Sequence, residues 1–173
     1  MNMNITWARL AGLPSYGEVL SFHLPDERLL GEGVVFEFNV DGHAWVGNFA
    51  PGMSAHSAVY VIGSTIHVIS AGNGYRFRAA APTNYEILKP GVVTDSRMID
   101  ERCMLVLAGL VNISAYGERG LLWATPRLSM EGVTLQECTA RGITGVANTV
   151  AGEAHYFAID PATGHYTSGT SYP

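Results

Sequence analysis

Residues 111–132, VNISAYGERGLLWATPRLSMEG, carry the reading that decides the fold. Two β-like runs flank Gly117-Glu118-Arg119-Gly120, and the second holds Trp123 before stopping at Pro126. Glycines bracket a turn here, and proline lacks the amide that a strand ladder requires, so the stretch predicts strand, turn, strand. The flanking sequence continues in the same short, glycine-punctuated style. Met104 to Leu107 is an apolar run that Ala108-Gly109 turns back into Val111 to Tyr116. Downstream come strand patterns over 121–125, 133–138, 141–148 and 154–159, and then a turn at Asp160-Pro161-Ala162-Thr163-Gly164.

Upstream, Val34 to Val40 alternates strictly, with Val34, Phe36, Phe38 and Val40 on one side. Asp41-Gly42 supplies a two-residue turn that tolerates positive φ at both positions. Folding there pairs Phe38 with Trp45 and Val34 with Phe49, and Gly47 leaves room for a ring opposite it. Residues 58–62 and 65–70 pair across Gly63-Ser64, and a turn at Asn73-Gly74 would return Tyr75, Arg76 and Phe77 alongside. Glu18 to Leu24 alternates as a strand ended by Pro25-Asp26, with Asp26-Glu27 in the turn. Residues 94–102, TDSRMIDER, read as a short helix capped by Asp95 or Ser96, with Asp100-Glu101 on its wet face.

The fold class expected is therefore all-β. It is one domain over 1–173 of short antiparallel strands and hairpins, forming a β-sandwich or curled sheet, with ends loosely ordered at about 1–6 and 165–173. The alternative is a small β-propeller-like repeat array, because turns recur at the spacing of sandwiches, barrels and propellers.

Composition narrows the function classes. The chain is 47% hydrophobic and 14% charged, apolar enough to bury a core and too apolar for a disordered chain. Ten Lys+Arg stand against fifteen Asp+Glu, a formal charge of -5, and Lys89 is the one lysine. No basic cluster is present, which argues against nucleic-acid binding. No apolar run is long enough for a membrane-spanning helix, and the N-terminus lacks the pattern of a signal peptide. Two cysteines, Cys103 and Cys138, make no disulfide framework and fit a reducing, cytoplasmic setting. Spacing alone leaves open whether they are bridged.

Three segments echo one another: IHVISAGNG from Ile66, LVNISAYGERG from Leu110 and HYFAIDPATG from His155. Ser70, Ser114 and Ala158 are equivalent in them, at 44-residue intervals (114 − 70 and 158 − 114). Propeller blades repeat at a similar period. The segments at 110–123 and 155–164 resemble quinoprotein-type β-propeller blades, where an apolar strand leads through a small residue and Asp into a glycine turn, often followed by Trp. Asp160 matches that Asp, whereas Tyr116 stands there in the middle copy. The resemblance implies four-stranded blades and transfers no cofactor site.

The residues that could carry chemistry form no specific pattern. His23, His43, His56, His67, His155 and His165 show no metal-ligand spacing, and neither cysteine lies in a CxxC. Ser54, Ser70 and Ser114 lack the glycines of a nucleophile elbow. A spatially assembled site of His155 or His165, Asp160 and a serine is the one hydrolase reading. No catalytic, cofactor or metal residue is assigned. Aromatic turn residues carry the binding reading instead, with Trp45 and Trp123 as core and the candidate surface at Tyr75, Tyr116, Arg119 and Tyr166. The function expected is a non-catalytic protein–protein interaction protein, of a bacterial immunity or accessory type, with a protein partner or self-association. The alternative is a small-molecule or carbohydrate-binding β-module.

Overall fold

The computed structural model describes residues 3–25, 31–129, 131–148 and 153–169, with side chains to 167. The turn expected at Asp26-Glu27 lies outside the described residues. The chain is all-β: among the described residues sixteen strands form four sheets of four strands each. Among the described residues no helix is long and apolar enough to cross a membrane. The chain packs as two compact units, Met1–Leu88 and Lys89–Pro173, a subdivision that the even strand spacing of the sequence does not mark.

The first unit holds β1 (Ile5–Arg9), β2 (Val19–Phe22), β3 (Val34–Val40) and β4 (His43–Phe49) in the order β1-β3-β4-β2. Its second sheet is the meander β5 (Ala58–Ile62), β6 (Thr65–Ser70), β7 (Asn73–Arg78) and β8 (Ala81–Ile87). The β3–β4 hairpin has the register that the sequence implies, pairing Phe38 with Trp45 and Val34 with Phe49. Asp41 sits at φ 50° and Gly42 at 88°, the left-handed backbone such a turn requires. Strict alternation then puts Phe36, Phe38, Trp45 and Phe49 on one face. They meet the row Val59, Val68 and Tyr75 and the row Ile66 and Phe77 from the meander. Phe22 stacks on Phe49 at 4.3 Å, and Phe38 on Trp45 at 4.6 Å. Gly47 makes room for a ring, but it is that of Phe49 on its own strand and not one opposite it; a Cβ would approach the ring to 2.4 Å.

The second unit holds β9 (Val93–Ile99), β10 (Met104–Gly109), β11 (Ile113–Gly117) and β12 (Gly120–Ala124) in one meander. The other sheet is β13 (Val133–Cys138), β14 (Ile143–Asn148), β15 (Ala154–Ile159) and β16 (Tyr166–Gly169). Their shared core takes Val106, Ala115 and Trp123 from the first sheet and Leu135, Ile143 and Phe157 from the second.

Several expectations are corrected. The segment 94–102 is no helix: β9 pairs residue by residue with β10, and only Asp100–Arg102 winds into a single 3-10 turn. The ladder decides this, because Val93 to Ile99 spend their backbone groups on the apolar strand β10 and not on a helix. Asp95, read as a helix cap, instead accepts the Ser96 amide at 2.8 Å and pairs with Arg97 at 2.8 Å. The turn expected at Asn73-Gly74 falls two residues earlier, at Ala71 (φ 46°) and Gly72 (φ 100°). Asn73 and Gly74 therefore begin β7, facing Ser70 and Ile69. At the ends, Ile5 and Thr6 of the segment read as loose lie in β1, which pairs with β3, and residues 166–169 pair with β15.

The repeat also changes register. Ser114 and Ala158 both lie on third strands of their meanders, β11 and β15, but Ser70 ends a second strand, β6. The third strands β7, β11 and β15 begin at 73, 113 and 154, intervals of 40 and 41 residues. Each of these meanders has the build of a propeller-type blade. The two segments that resemble quinoprotein blades meet directly: Trp123 Nε1 donates to the Pro161 carbonyl at 2.9 Å. Gly164 (φ 71°) lies so close to the indole that a Cβ would come within 2.7 Å of it.

Candidate functional site

Edge strands expose unpaired backbone groups, and proteins usually guard them with charge, proline or bulges. β1 carries Arg9, β8 carries Pro82 and Glu86, β9 carries Asp95 and Arg97, and β13 carries Glu137. β12 is different. Its sequence GLLWA holds neither charge nor proline, and no strand pairs with its outer side among the described residues.

The register explains what β12 displays. Tyr116 faces Leu121 and Ala115 faces Trp123, which leaves Leu122 as an extra residue in a bulge. A bulge breaks strict alternation and re-aims side chains. Trp123 consequently turns into the core at 9% exposure, while Leu121 and Leu122 are 50% and 54% exposed. The Leu122 side chain lies along Gly117, 3.4 Å from where a Cβ would stand. Beyond the strand, Thr125 ties its amide to the Ile113 carbonyl at 2.8 Å, and its hydroxyl accepts the Ile113 amide at 3.0 Å. The leucine pair is thus mounted on a strand that is pinned at both ends, with Glu118 and Arg119 exposed in the turn before it.

Of the sequence candidates, Arg119 is exposed beside this pair and Tyr166 is partly buried against the core of its unit. Tyr75 and Tyr116 are not surface residues. Tyr75 is 0% exposed and its hydroxyl donates to the Ala50 carbonyl at 3.0 Å; Tyr116 is 4% exposed and its hydroxyl accepts the Lys89 amide at 2.8 Å. Both were placed near turns, and strand pairing carries both into sheet interiors. Tyr75 belongs to the first unit and the other three to the second.

Each unit also holds a cleft among the described residues. One of about 510 Å³ lies in the first unit, lined by residues of 18–20, 40–45 and 79–83. The other, of about 170 Å³ in the second unit, is lined by Arg127, His155 and Tyr166 among others.

The side chains considered for chemistry serve local structure. Asp160 accepts the Ala162 amide at 2.8 Å and the Thr163 hydroxyl at 3.0 Å, and these bonds hold its carboxyl below the usual range. His155 is the second residue of the strand that Asp160 follows, so about 16 Å of extended chain separates them. His155 instead lies 3.9 Å from Glu153. Ser54 accepts the His56 amide at 3.1 Å, and the Ser114 hydroxyl donates to the Lys89 carbonyl. Both cysteines are free, and burial pushes the Cys138 thiol up to about 11. Among the described residues no three His, Cys, Asp or Glu side chains are grouped to hold a metal ion.

No family model matches the chain, and no curated protein matches it. Two solved structures are similar in part. The N-terminal domain of Nup159 is 11% identical over 97% of this chain and 50% of its own, with a TM-score of 0.49. The uncharacterized protein lmo1340 from Listeria monocytogenes EGD-e is 8% identical over 80% of this chain and 52% of its own, with a TM-score of 0.41. The chain thus spans about half the length of either structure.

Proposed function

We propose that the protein is a protein-binding module whose contact is the leucine pair of β12. The observation that carries this reading is the bulge at Leu122, which sets two adjacent leucines half-exposed at an edge without charge or proline. Exposed apolar side chains held together on rigid backbone favour an interface, because their burial releases water at little cost in ordering. The bulge blunts strand addition along this edge, so docking proceeds through the side chains. The partner presents an apolar pocket for Leu121 and Leu122, with polar groups around it that meet Glu118 and Arg119 at the rim.

Leu122→Lys tests this. Leu122 is half-exposed, so the substitution is expected to change folding stability by no more than about 0.5 kcal/mol in urea unfolding. It is also expected to weaken the complex with the protein that co-purifies from the source cells by at least about tenfold, the scale of one desolvated anchor. An affinity unchanged by Leu122→Lys in a titration would exclude this surface.

A further inference from the structure

The larger cleft is a second site, independent of β12. It opens in the first unit, where the β3–β4 hairpin, the start of β2 and the turn between β7 and β8 supply its walls. Its volume of about 510 Å³ falls within the roughly 300–1,000 Å³ of small-molecule sites. Leu20, Val40 and Trp45 form the apolar wall, joined by Ala79 and the alanines after it. This wall is rigid. Trp45 is 4% exposed and stacks on Phe38 with an interplanar angle of 23°, so it cannot swing aside.

The polar groups include one carboxylate. Glu18 and His43 stand at the rim, 3.7 Å apart and 56% and 77% exposed, and Thr83 adds a hydroxyl. No lysine or arginine lines the cleft among the described residues. A polyol would set hydroxyls against alanine and leucine without partners, which costs free energy for each buried group. A carboxylate ligand would face Glu18 with like charge. A cation carried on an apolar body meets both features, with its body on the wall and its ammonium at Glu18 in place of the His43 imidazole.

The geometry points to a binding site for a small primary amine bearing an aromatic or branched aliphatic body, with Glu18 selecting the ammonium and the Leu20–Val40–Trp45 wall taking the body.

Three probes share one ring system and differ in the terminal group: tryptamine, tryptophol and indole-3-propionate. Titration calorimetry on the full chain is expected to show tryptamine binding about fivefold tighter than tryptophol, the scale of a half-exposed ion pair, with the acid weakest. Glu18→Gln is expected to bring tryptamine and tryptophol within about twofold of each other. Ala80→Phe, at an exposed turn position beside the wall, is expected to weaken all three together. Thr83→Lys adds a cation without filling the space and is expected to weaken tryptamine alone. Loss of the amine preference in Glu18→Gln, with retained apolar binding, supports the site. Absence of tryptamine binding to the wild type, equal affinity for all three probes, or an amine preference that survives Glu18→Gln would overturn it. Wild-type binding by a folded Ala80→Phe protein would overturn it too, because the ligand would then lie elsewhere.

Discussion

Phe49→Ala is expected to lower folding stability by about 3–5 kcal/mol, the range for removing a buried aromatic ring. Phe49 is 0% exposed and lies at the centre of the first unit's ring cluster. It stacks on Phe22 at 4.3 Å and meets Tyr75 at 5.4 Å and Phe36 at 6.1 Å. Two sheets contribute these rings, so the cavity left by alanine has walls fixed by both ladders and cannot collapse. Gly47 adds to this, since its missing Cβ is the space that the Phe49 ring fills. A loss of this size consumes much of the stability of an ordinary domain. Urea unfolding checks it, and a cost below about 1 kcal/mol would mean that the site repacks.

The second large effect is a pH dependence centred on His67. Its side chain is 0% exposed on β6, with Tyr60 on one neighbouring strand and Arg76 on the other. Burial, reinforced by the Arg76 charge, lowers its pKa from 6.5 to about 3. The folded protein therefore holds His67 neutral where the unfolded chain protonates it. Stability from this residue is complete above pH 6.5 and falls as pH drops toward 3. The slope approaches about 1.4 kcal/mol per pH unit. Between about pH 6.5 and 4.5 the fall precedes most carboxylate protonation. Denaturant melts of wild type and His67→Gln across that window provide the check. The variant is expected to show a flatter acid limb, and identical slopes would mean that His67 does not stay neutral in the fold.

Legibility in the sequence tracks how local the deciding physics is. The β3–β4 hairpin was readable because strict alternation and Asp41-Gly42 point to one register. The β6–β7 turn was misplaced because Asn73-Gly74 is the stronger turn dipeptide. Asn73 instead spends its amide on the Ala50 carbonyl at 3.3 Å, a contact 23 residues away in sequence. Residues 94–102 have helix-cap chemistry, yet pairing with the apolar strand β10 overrides it. Tyr75 and Tyr116 read as surface residues in the sequence because they lie in or near turns. One turn shift and one sheet pairing bury them, and both hydroxyls find main-chain partners.

The candidate sites were less legible still. Trp123 was readable as core, but a regular strand would have buried Leu121 on the same face. Only the extra residue Leu122 sends both leucines outward, and nothing in the run LLW marks a bulge. The cleft draws its walls from three segments spread between residues 18 and 83. No local pattern brings Glu18, Val40 and Ala79 together, because tertiary packing does so.

The most direct test of the β12 reading places a photo-crosslinking residue at position 122 in one protein and at position 16 in another. Tyr16 is 86% exposed and belongs to the first unit, whereas β12 belongs to the second. In a lysate of the source cells, irradiation is expected to join one protein stoichiometrically to position 122 and to leave position 16 without it. The same protein joined equally at position 16, or no protein joined at position 122, would contradict the account.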